Sequence, residues 1–324
     1  MKKILITGAS GYIGSILYSN LKGYNLLAID KKENPLVKKK IFKINLNSID
    51  FANIVKKFNP DIVIHLAGQS TIDFAHNKKK YLVNNVNATR NLIKVLEQCS
   101  NLKKIIFSST AAVYSSSSRI IKENNELLPK NNYSLTKLKC ENILRRFSLR
   151  YKVNLIILRF FNVCGADLKN KLGEMHNPET HLIPLVVNKI NNNEKIKIYG
   201  NNYNTKDGTC ERDYIHVLDV VSSIKKLIFK KFINNILIFN LGTGVSISVK
   251  KIINTISIIV RRKPKIQLCI RRNGDVSKLF CSPKKIFKLV GWKCKKSEIR
   301  KIIKDEILWQ NHMTKRKILI KTIY

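Results

Sequence analysis

Residues 4–14 read Ile-Leu-Ile-Thr-Gly-Ala-Ser-Gly-Tyr-Ile-Gly, an apolar run that stops at a glycine turn and continues as an amphipathic segment. Gly8, Gly11 and Gly14 stand three apart. A strand that turns this tightly into a helix must lay the helix back over the strand, and it aims backbone N–H groups at whatever lies beyond the strand's carboxyl end. Asp30 closes the next apolar run, at the point where a second parallel strand would end. A chain that begins this way has little choice but an open α/β sheet.

The pattern that follows agrees. Short β-branched runs at 4–6, 26–29, 62–65, 105–107 and 155–158 read as buried parallel strands, and helical periodicity falls at 11–22, 48–57, 78–99 and 133–151. The expected fold is α/β, a Rossmann-type doubly wound parallel sheet with right-handed connections. Past residue 165, Pro178, Pro184, Gly200, Gly208, Gly242, Gly244, Pro264, Gly274 and Pro283 break the chain into shorter pieces. The division expected is therefore a dinucleotide-binding domain over 1–165 and a smaller C-terminal substrate-binding lobe over 166–324, with some segments returning to the first domain. Ser282-Pro283 reads as a helix start, with serine as cap and proline in the first turn.

Composition excludes more than it identifies. No apolar run approaches the ~20 residues of a membrane span, so no membrane partner is expected and the chain reads as soluble and cytoplasmic. A formal charge of +40 invites a nucleic-acid partner. The lysines, however, are spread through every segment alongside an excess of Asn and Ile, which is what drift in an AT-rich genome produces. No dedicated nucleic-acid partner is expected, and the positive field suits a diphosphate in any case. The seven cysteines form no C-x-x-C pair, and the six histidines fit no H-x-x-x-H or H-E-x-x-H frame. They are expected to be reduced core cysteines and non-ligating histidines, with no metal site.

The glycine turn and Asp30 together imply a bound dinucleotide. Asp30 is placed to accept hydrogen bonds from an adenosine ribose, which favours NAD; Lys31 and Lys32 leave NADP open. A side chain at Gly11 would push the cofactor away, and Gly14 would let the helix pack down on the sheet. Chemistry is expected at Tyr133 and Lys137, four apart at the start of a helix and so on one face. An ammonium, a helix N-terminus and a positive nicotinamide all favour a phenolate. Bringing a phenol from about 10 to neutral pH takes roughly 4 kcal/mol. The run 105–107 ends in Ser108-Ser109-Thr110, and a hydroxyl there can bridge the tyrosine and a substrate oxygen.

The G-x-x-G-x-x-G spacing resembles the fingerprint of extended short-chain dehydrogenases/reductases. Later segments are similar to the UDP-glucose 4-epimerase family among them, over roughly residues 3–310. They are 107–114 (Phe-Ser-Ser-Thr-Ala-Ala-Val-Tyr), 158–166 (Leu-Arg-Phe-Phe-Asn-Val-Cys-Gly-Ala), His181-Leu182-Ile183-Pro184, 207–217, 240–244, 271–275 and 289–292. Sugar-nucleotide 4,6-dehydratases usually carry Asp-Glu where this chain has Ala111-Ala112, so the acid–base pair for water elimination is missing.

The resemblance implies that Tyr133, Lys137 and Thr110 are catalytic. It places Gly8, Gly11, Tyr12, Ile13, Gly14, Asp30, Asn45, Leu46, Leu66, Ala67, Gly68, Ser70, Asn85, Lys137 and Phe161 at NAD. It assigns Arg212 and Arg272 to the substrate diphosphate, Asn162 and Leu182 to the sugar and nucleotide side, Asp275 to the uridine ribose, and Tyr199 to the base. The implied substrates are UDP-galactose and UDP-glucose. Tyr133 would take the 4-OH proton while NAD+ accepts hydride from C4, and the 4-keto sugar would turn and be reduced on its other face. Sister enzymes of UDP-N-acetylglucosamine, UDP-glucuronate or a UDP-pentose are the alternatives, with a degenerate NAD-binding, nucleic-acid-associated protein as the alternative of another class, and Leu279 stands where sugar size is gated. A homodimer through helices 78–99 and 133–151 also follows from the resemblance. The chain departs from the family at Asn45 (usually Asp), at Ser115 and Ser134 (usually Gly) and at Asn132 (usually Pro); Ser115 would strain its loop if that site needs positive φ.

Overall fold

The computed structural model describes residues 1–323 apart from 70–77, 116–118, 177–178, 234 and 273–274, and of 317–323 it describes the backbone only. The first half alternates as its apolar pattern requires. It comprises β1 (Lys3–Thr7), α1 (Tyr12–Asn20), β2 (Asn25–Asp30), β3 (Phe42–Lys43), α2 (Ile49–Phe58), β4 (Ile62–His65), α3 (Lys78–Tyr81), α4 (Ala88–Leu96), β5 (Lys104–Thr110), α5 (Asn132–Tyr151) and β6 (Asn154–Phe160). Helices α3 and α4 are joined without a break by a π-helical stretch, Leu82–Asn87, so the expected helix at 78–99 carries a wider turn in its middle.

The second half adds β7 (Asn162–Cys164), α6 (Leu182–Asn191), β8 (Lys195–Tyr199), β9 (Glu211–Arg212), β10 (Tyr214–His216), α7 (Val217–Phe229), β11 (Ile236–Leu241), β12 (Ile247–Ser248), α8 (Val249–Val260), β13 (Lys265–Cys269), β14 (Lys278–Leu279), α9 (Lys284–Val290) and α10 (Ile299–Ile323). Strand β11 returns to the main sheet, whose order is β11-β6-β5-β4-β1-β2-β3 with every pair parallel. The order reverses between β1 and β4, where Thr7 pairs with His65. That reversal opens the crevice in which such sheets bind ligands.

Successive side chains of β1 go to opposite faces. Ile4 and Ile6 pack with Ile16, Leu17, Val220 and Ile224 of α1 and α7, while Leu5 packs with Phe51, Val55, Leu92 and Leu144 of α2, α4 and α5. A third core joins Ile183, Val187, Ile252, Ile253, Ile302 and Ile303 from α6, α8 and α10.

Two local expectations change. Strands β5 and β6 run on to Thr110 and Phe160, beyond the apolar runs, because Ser108, Ser109, Thr110 and Arg159 are buried and find polar partners inside. Helix α9 starts at Lys284 with Pro283 at the cap position rather than in the first turn; the Ser282 hydroxyl accepts from the Lys284 N–H at 3.4 Å. All seven cysteines are free, four buried and three half-buried. Among the described residues no helix is long and apolar enough to cross a membrane.

Candidate active site

The glycine turn is built by contacts that leave no room for side chains. Gly8 has φ +75°, and a Cβ on it would lie 2.5 Å from the Ala67 nitrogen and 2.7 Å from the Leu66 carbonyl carbon. This close approach brings the β4 exit, Leu66-Ala67-Gly68, against the turn. A Cβ at Gly14 would lie 2.0 Å from the Gly8 carbonyl oxygen, so that glycine serves the turn itself rather than packing against the sheet. A Cβ at Gly11 would meet only that oxygen, at 3.3 Å, with open space otherwise.

Helix α1 starts at Tyr12 behind Gly11, which offers no side-chain cap, and has no acidic residue in its first turn, so its first N–H groups are left for an anion. Asp30 holds the turn from the side, its carboxylate accepting from the N–H groups of Ser10 and Lys32 at 3.0 Å each. These features fit a dinucleotide: open amides for a pyrophosphate, a glycine that leaves room for it, and a carboxylate at the next strand end.

The other expected cofactor contacts divide. Gly68 is exposed, and a Cβ there would come within 3.0 Å of Asn85 Oδ1 and 3.5 Å of Lys137 Nζ, so the β4 exit lies beside the expected catalytic lysine. Asn85, on the π-helical stretch, is buried and bonds the backbone of Gln69 and the Thr136 hydroxyl. The Tyr12 hydroxyl donates to the Gly165 carbonyl, tying the turn to the second half. Ile13 packs on the sheet. Asn45 is exposed, and its side-chain oxygen accepts from the Asn47 N–H at 3.0 Å, closing its own turn; Leu46 and Phe161 are buried in core clusters. Ser70 lies outside the described residues.

Tyr133, Thr110 and Lys137 do converge. Asn131 and Ser134 form a reciprocal capping box that starts α5, which gives Ser134, in place of a glycine, a local purpose. Ser115 shows no positive φ, so serine causes no strain there. Helix α5 then presents Tyr133 to Thr110 at the end of β5. Burial pushes the Tyr133 phenol up to about 12, opposed by its hydrogen bond with Thr110. Lys137 is buried, donates to the Ser108 carbonyl at 2.6 Å and sits 4.7 Å over the Phe107 ring; burial lowers its pKa to about 8, opposed by Cys140 and Glu141. The lysine that was expected to acidify Tyr133 is thus committed to strand β5. The protein alone positions a neutral phenol, and the remaining help must come from a bound positive group.

The expected substrate residues gather around β8, β9 and the strand-free stretch after β13. The Arg212 guanidinium donates to the carbonyls of Glu211 and Val276 at 2.9 and 2.8 Å and pairs with Asp275 at 3.4 Å. Arg272 stacks 3.8 Å from the centre of the Tyr199 ring. Asn162 donates to the Asp213 carbonyl at 2.9 Å, next to Arg212. Leu182 opens α6 and packs on the third core, and Leu279 pairs with Arg212 in register. Arg271, which sequence reasoning passed over, stacks on Tyr203 at 4.1 Å and lines a cleft of about 410 Å³ with Gly200, Asn202 and Cys269.

Two side-chain clusters, one buried and one half-buried, were also missed. Glu141, one turn beyond Lys137, accepts from Ser109 and makes a two-point pair with Arg159, whose other nitrogen donates to the Tyr114 hydroxyl. Only the four-residue spacing of Tyr133, Lys137 and Glu141 could have signalled it. Glu174, His176, Glu179 and His181 bring donor atoms within 4.8 Å of one another, in a spacing that matches no common ligand frame.

The chain is similar to known proteins over nearly its whole length. The NAD dependent epimerase/dehydratase family matches residues 4–242. The UDP-glucose 4-epimerase of Streptococcus mutans is 34% identical over 96% of this chain and 98% of its own length. A solved UDP-glucose 4-epimerase of Brucella ovis in complex with NAD superposes with a TM-score of 0.87 at 30% identity, covering 94% of this chain and 97% of that one. A UDP-Glc/GlcNAc 4-epimerase of Campylobacter jejuni superposes with a TM-score of 0.81 at 31% identity, covering 96% and 100%.

Proposed function

We propose that this chain, which belongs to the NAD dependent epimerase/dehydratase family, binds NAD and interconverts UDP-galactose and UDP-glucose. The observation that carries the reading is that Tyr133 bonds Thr110 at the end of β5 while Lys137, one turn on, reaches the β4 exit at Gly68, the segment that packs against the glycine turn.

NAD, when bound, supplies a reversible acceptor for the hydrogen on sugar C4. Gly8, Gly11 and the first turn of α1 hold its pyrophosphate, and Asp30 its adenosine ribose. Tyr133 Oη takes the 4-OH proton, and the Thr110 hydroxyl bonded to it carries that proton between tyrosine and sugar oxygen. Lys137 keeps the phenol's surroundings positive and fixes the end of β5. Arg212 and Arg272 grip the diphosphate, a task for which a planar guanidinium is suited.

Ala111 and Ala112 argue against elimination of water, because no carboxyl group follows Thr110. The range of sugars is a finer question. Leu279, half-buried beside Phe161, is a medium-sized side chain at the position expected to gate sugar size.

The experiment is conversion of UDP-galactose to UDP-glucose by wild type and Tyr133→Phe. Loss of about 10³-fold or more in kcat with NAD still retained is expected. Retained NAD with no turnover on either hexose, but turnover on UDP-N-acetylglucosamine or UDP-glucuronate, moves the assignment to that sugar. Full activity in Tyr133→Phe removes the mechanism.

A further inference from the structure

We propose that Glu174, His176, Glu179 and His181 form a binding site for one divalent transition-metal ion, best matched by zinc. The site lies between β7 and α6, immediately before Leu182, and outside the groups given a part in the epimerase chemistry.

The donor set is the first argument. Two imidazoles present the same kind of atom, Nδ1, to the same carboxylate oxygen: Glu174 Oε1 is 2.8 Å from His176 and 3.0 Å from His181. Glu179 Oε1 lies 3.0 Å from the second imidazole. Two nitrogens and two carboxylate oxygens make a familiar zinc ligand set, each about 2.0–2.2 Å from the ion. Tetrahedral donors at that radius stand about 3.3 Å apart. Replacing the shared protons by a cation therefore asks these pairs to separate by only a few tenths of an ångström.

The second argument is charge. The chain has only 21 acidic residues against 61 Lys and Arg, yet Glu174, Glu179 and Glu306 meet here. Glu306 is buried and accepts from the Gln310 amide at 2.9 Å. Glu174 is buried as well, while His176, Glu179 and His181 are half-buried around it. Three carboxyl groups thus gather at two imidazoles, and a dication relieves that excess.

The third argument is support. The Trp309 indole donates to the Glu174 carbonyl at 2.9 Å, and Trp309 packs so closely on Gly173 that a Cβ there would lie 2.6 Å away. Glu174 is thereby fixed before any ion arrives. Burial holds the Tyr12 phenol of the glycine turn well above its usual value, and the nearby Glu174 charge adds to this. An ion here would fix Glu174, His176, Glu179 and His181 near the cofactor turn. With four protein ligands and no open position, its role is structural rather than catalytic.

The test uses tag-free holoenzyme, stripped with a chelator and titrated with Zn²⁺ and, separately, Co²⁺. One equivalent of zinc is expected, with Tm rising on the order of 5 °C at a hundredfold excess over Kd. Affinity should fall at least tenfold in His176→Gln and in Glu179→Gln. Co²⁺ should show visible ligand-field bands without a thiolate charge-transfer band, and Zn²⁺ affinity should increase from pH 6 to 8. Absence of stoichiometric binding, unchanged affinity in both variants, or a cobalt–thiolate band placing the ion on a cysteine would each overturn the proposal.

Discussion

The two sides of the cleft are held by different means. On the cofactor side, positions are set against backbone: Gly8 against Leu66 and Ala67, Gly14 against the Gly8 carbonyl, and the Lys137 ammonium on the Ser108 carbonyl. On the substrate side long side chains at partial exposure lean chiefly on one another: Arg212 pairs with Asp275 beside its two carbonyl bonds, Arg272 stacks on Tyr199, and Arg271 on Tyr203. The first arrangement tolerates almost no change in shape, while the second can move with its ligand. Substitutions on the cofactor side should therefore remove function outright, and those on the substrate side should weaken binding by degrees.

The sharpest contrast lies between two glycines of one turn. Gly14→Ala places a Cβ against the Gly8 oxygen, and since both are backbone neither can yield cheaply. A stability loss of about 3 kcal/mol or more and complete loss of NAD are expected. Gly11→Ala meets only a 3.3 Å neighbour, so it should remain folded, with Tm within a few degrees of wild type, yet lose most of its NAD. Thermal denaturation and the NAD content of the purified proteins separate the two. If Gly11→Ala keeps its NAD, the pyrophosphate does not lie where the open side of the turn suggests.

This contrast also explains what could be read from sequence. Gly8, Gly11, Gly14, Asp30, Tyr133 and Lys137 work through spacing within one strand–turn–helix or one helical turn, and that spacing is written locally. The ends of β5 and β6 were harder to read, because Ser109 and Arg159 look like surface residues until Glu141 is brought to them from α5. Asn85 is similar: its partners at Gln69 and Thr136 are fixed only by packing of the π-helical stretch against α5. The substrate side was visible through resemblance alone. Nothing in the spacing of Tyr199 and Arg272 predicts that one will stack on the other.

A smaller effect is expected at the arginines. Arg212→Ala removes two bonds to carbonyls and the pair with Asp275, and Arg272→Ala removes the planar face on Tyr199 and a charge. The KM for the UDP-sugar should rise about 10–100-fold in each, with kcat within a few-fold of wild type. Arg272→Lys keeps the charge but loses the planar face on Tyr199, so it should resemble alanine more than wild type. A large fall in kcat with little change in KM would place these residues with the reacting atoms and erase the distinction between the two sides.

The smallest effect concerns pH. With burial holding Tyr133 near 12 and Lys137 near 8, the lysine loses its proton first as pH rises. Below about 8 the lysine stays charged, and kcat should climb about tenfold per unit as the phenol gives up its proton more readily. Above that point each gain in phenolate is matched by a loss of ammonium, and the profile should flatten. The positive nicotinamide lowers both values, so it moves the break to lower pH without changing the shape. Guanidinium groups keep their charge across this range, so KM should stay level from pH 6 to 9 while kcat varies. In Lys137→Arg the residual activity should keep rising past the wild-type break, because arginine has no proton to lose there. A profile with a level kcat and a moving KM would mean that the ionising group grips the nucleotide, and the roles given to the two sides would have to be exchanged.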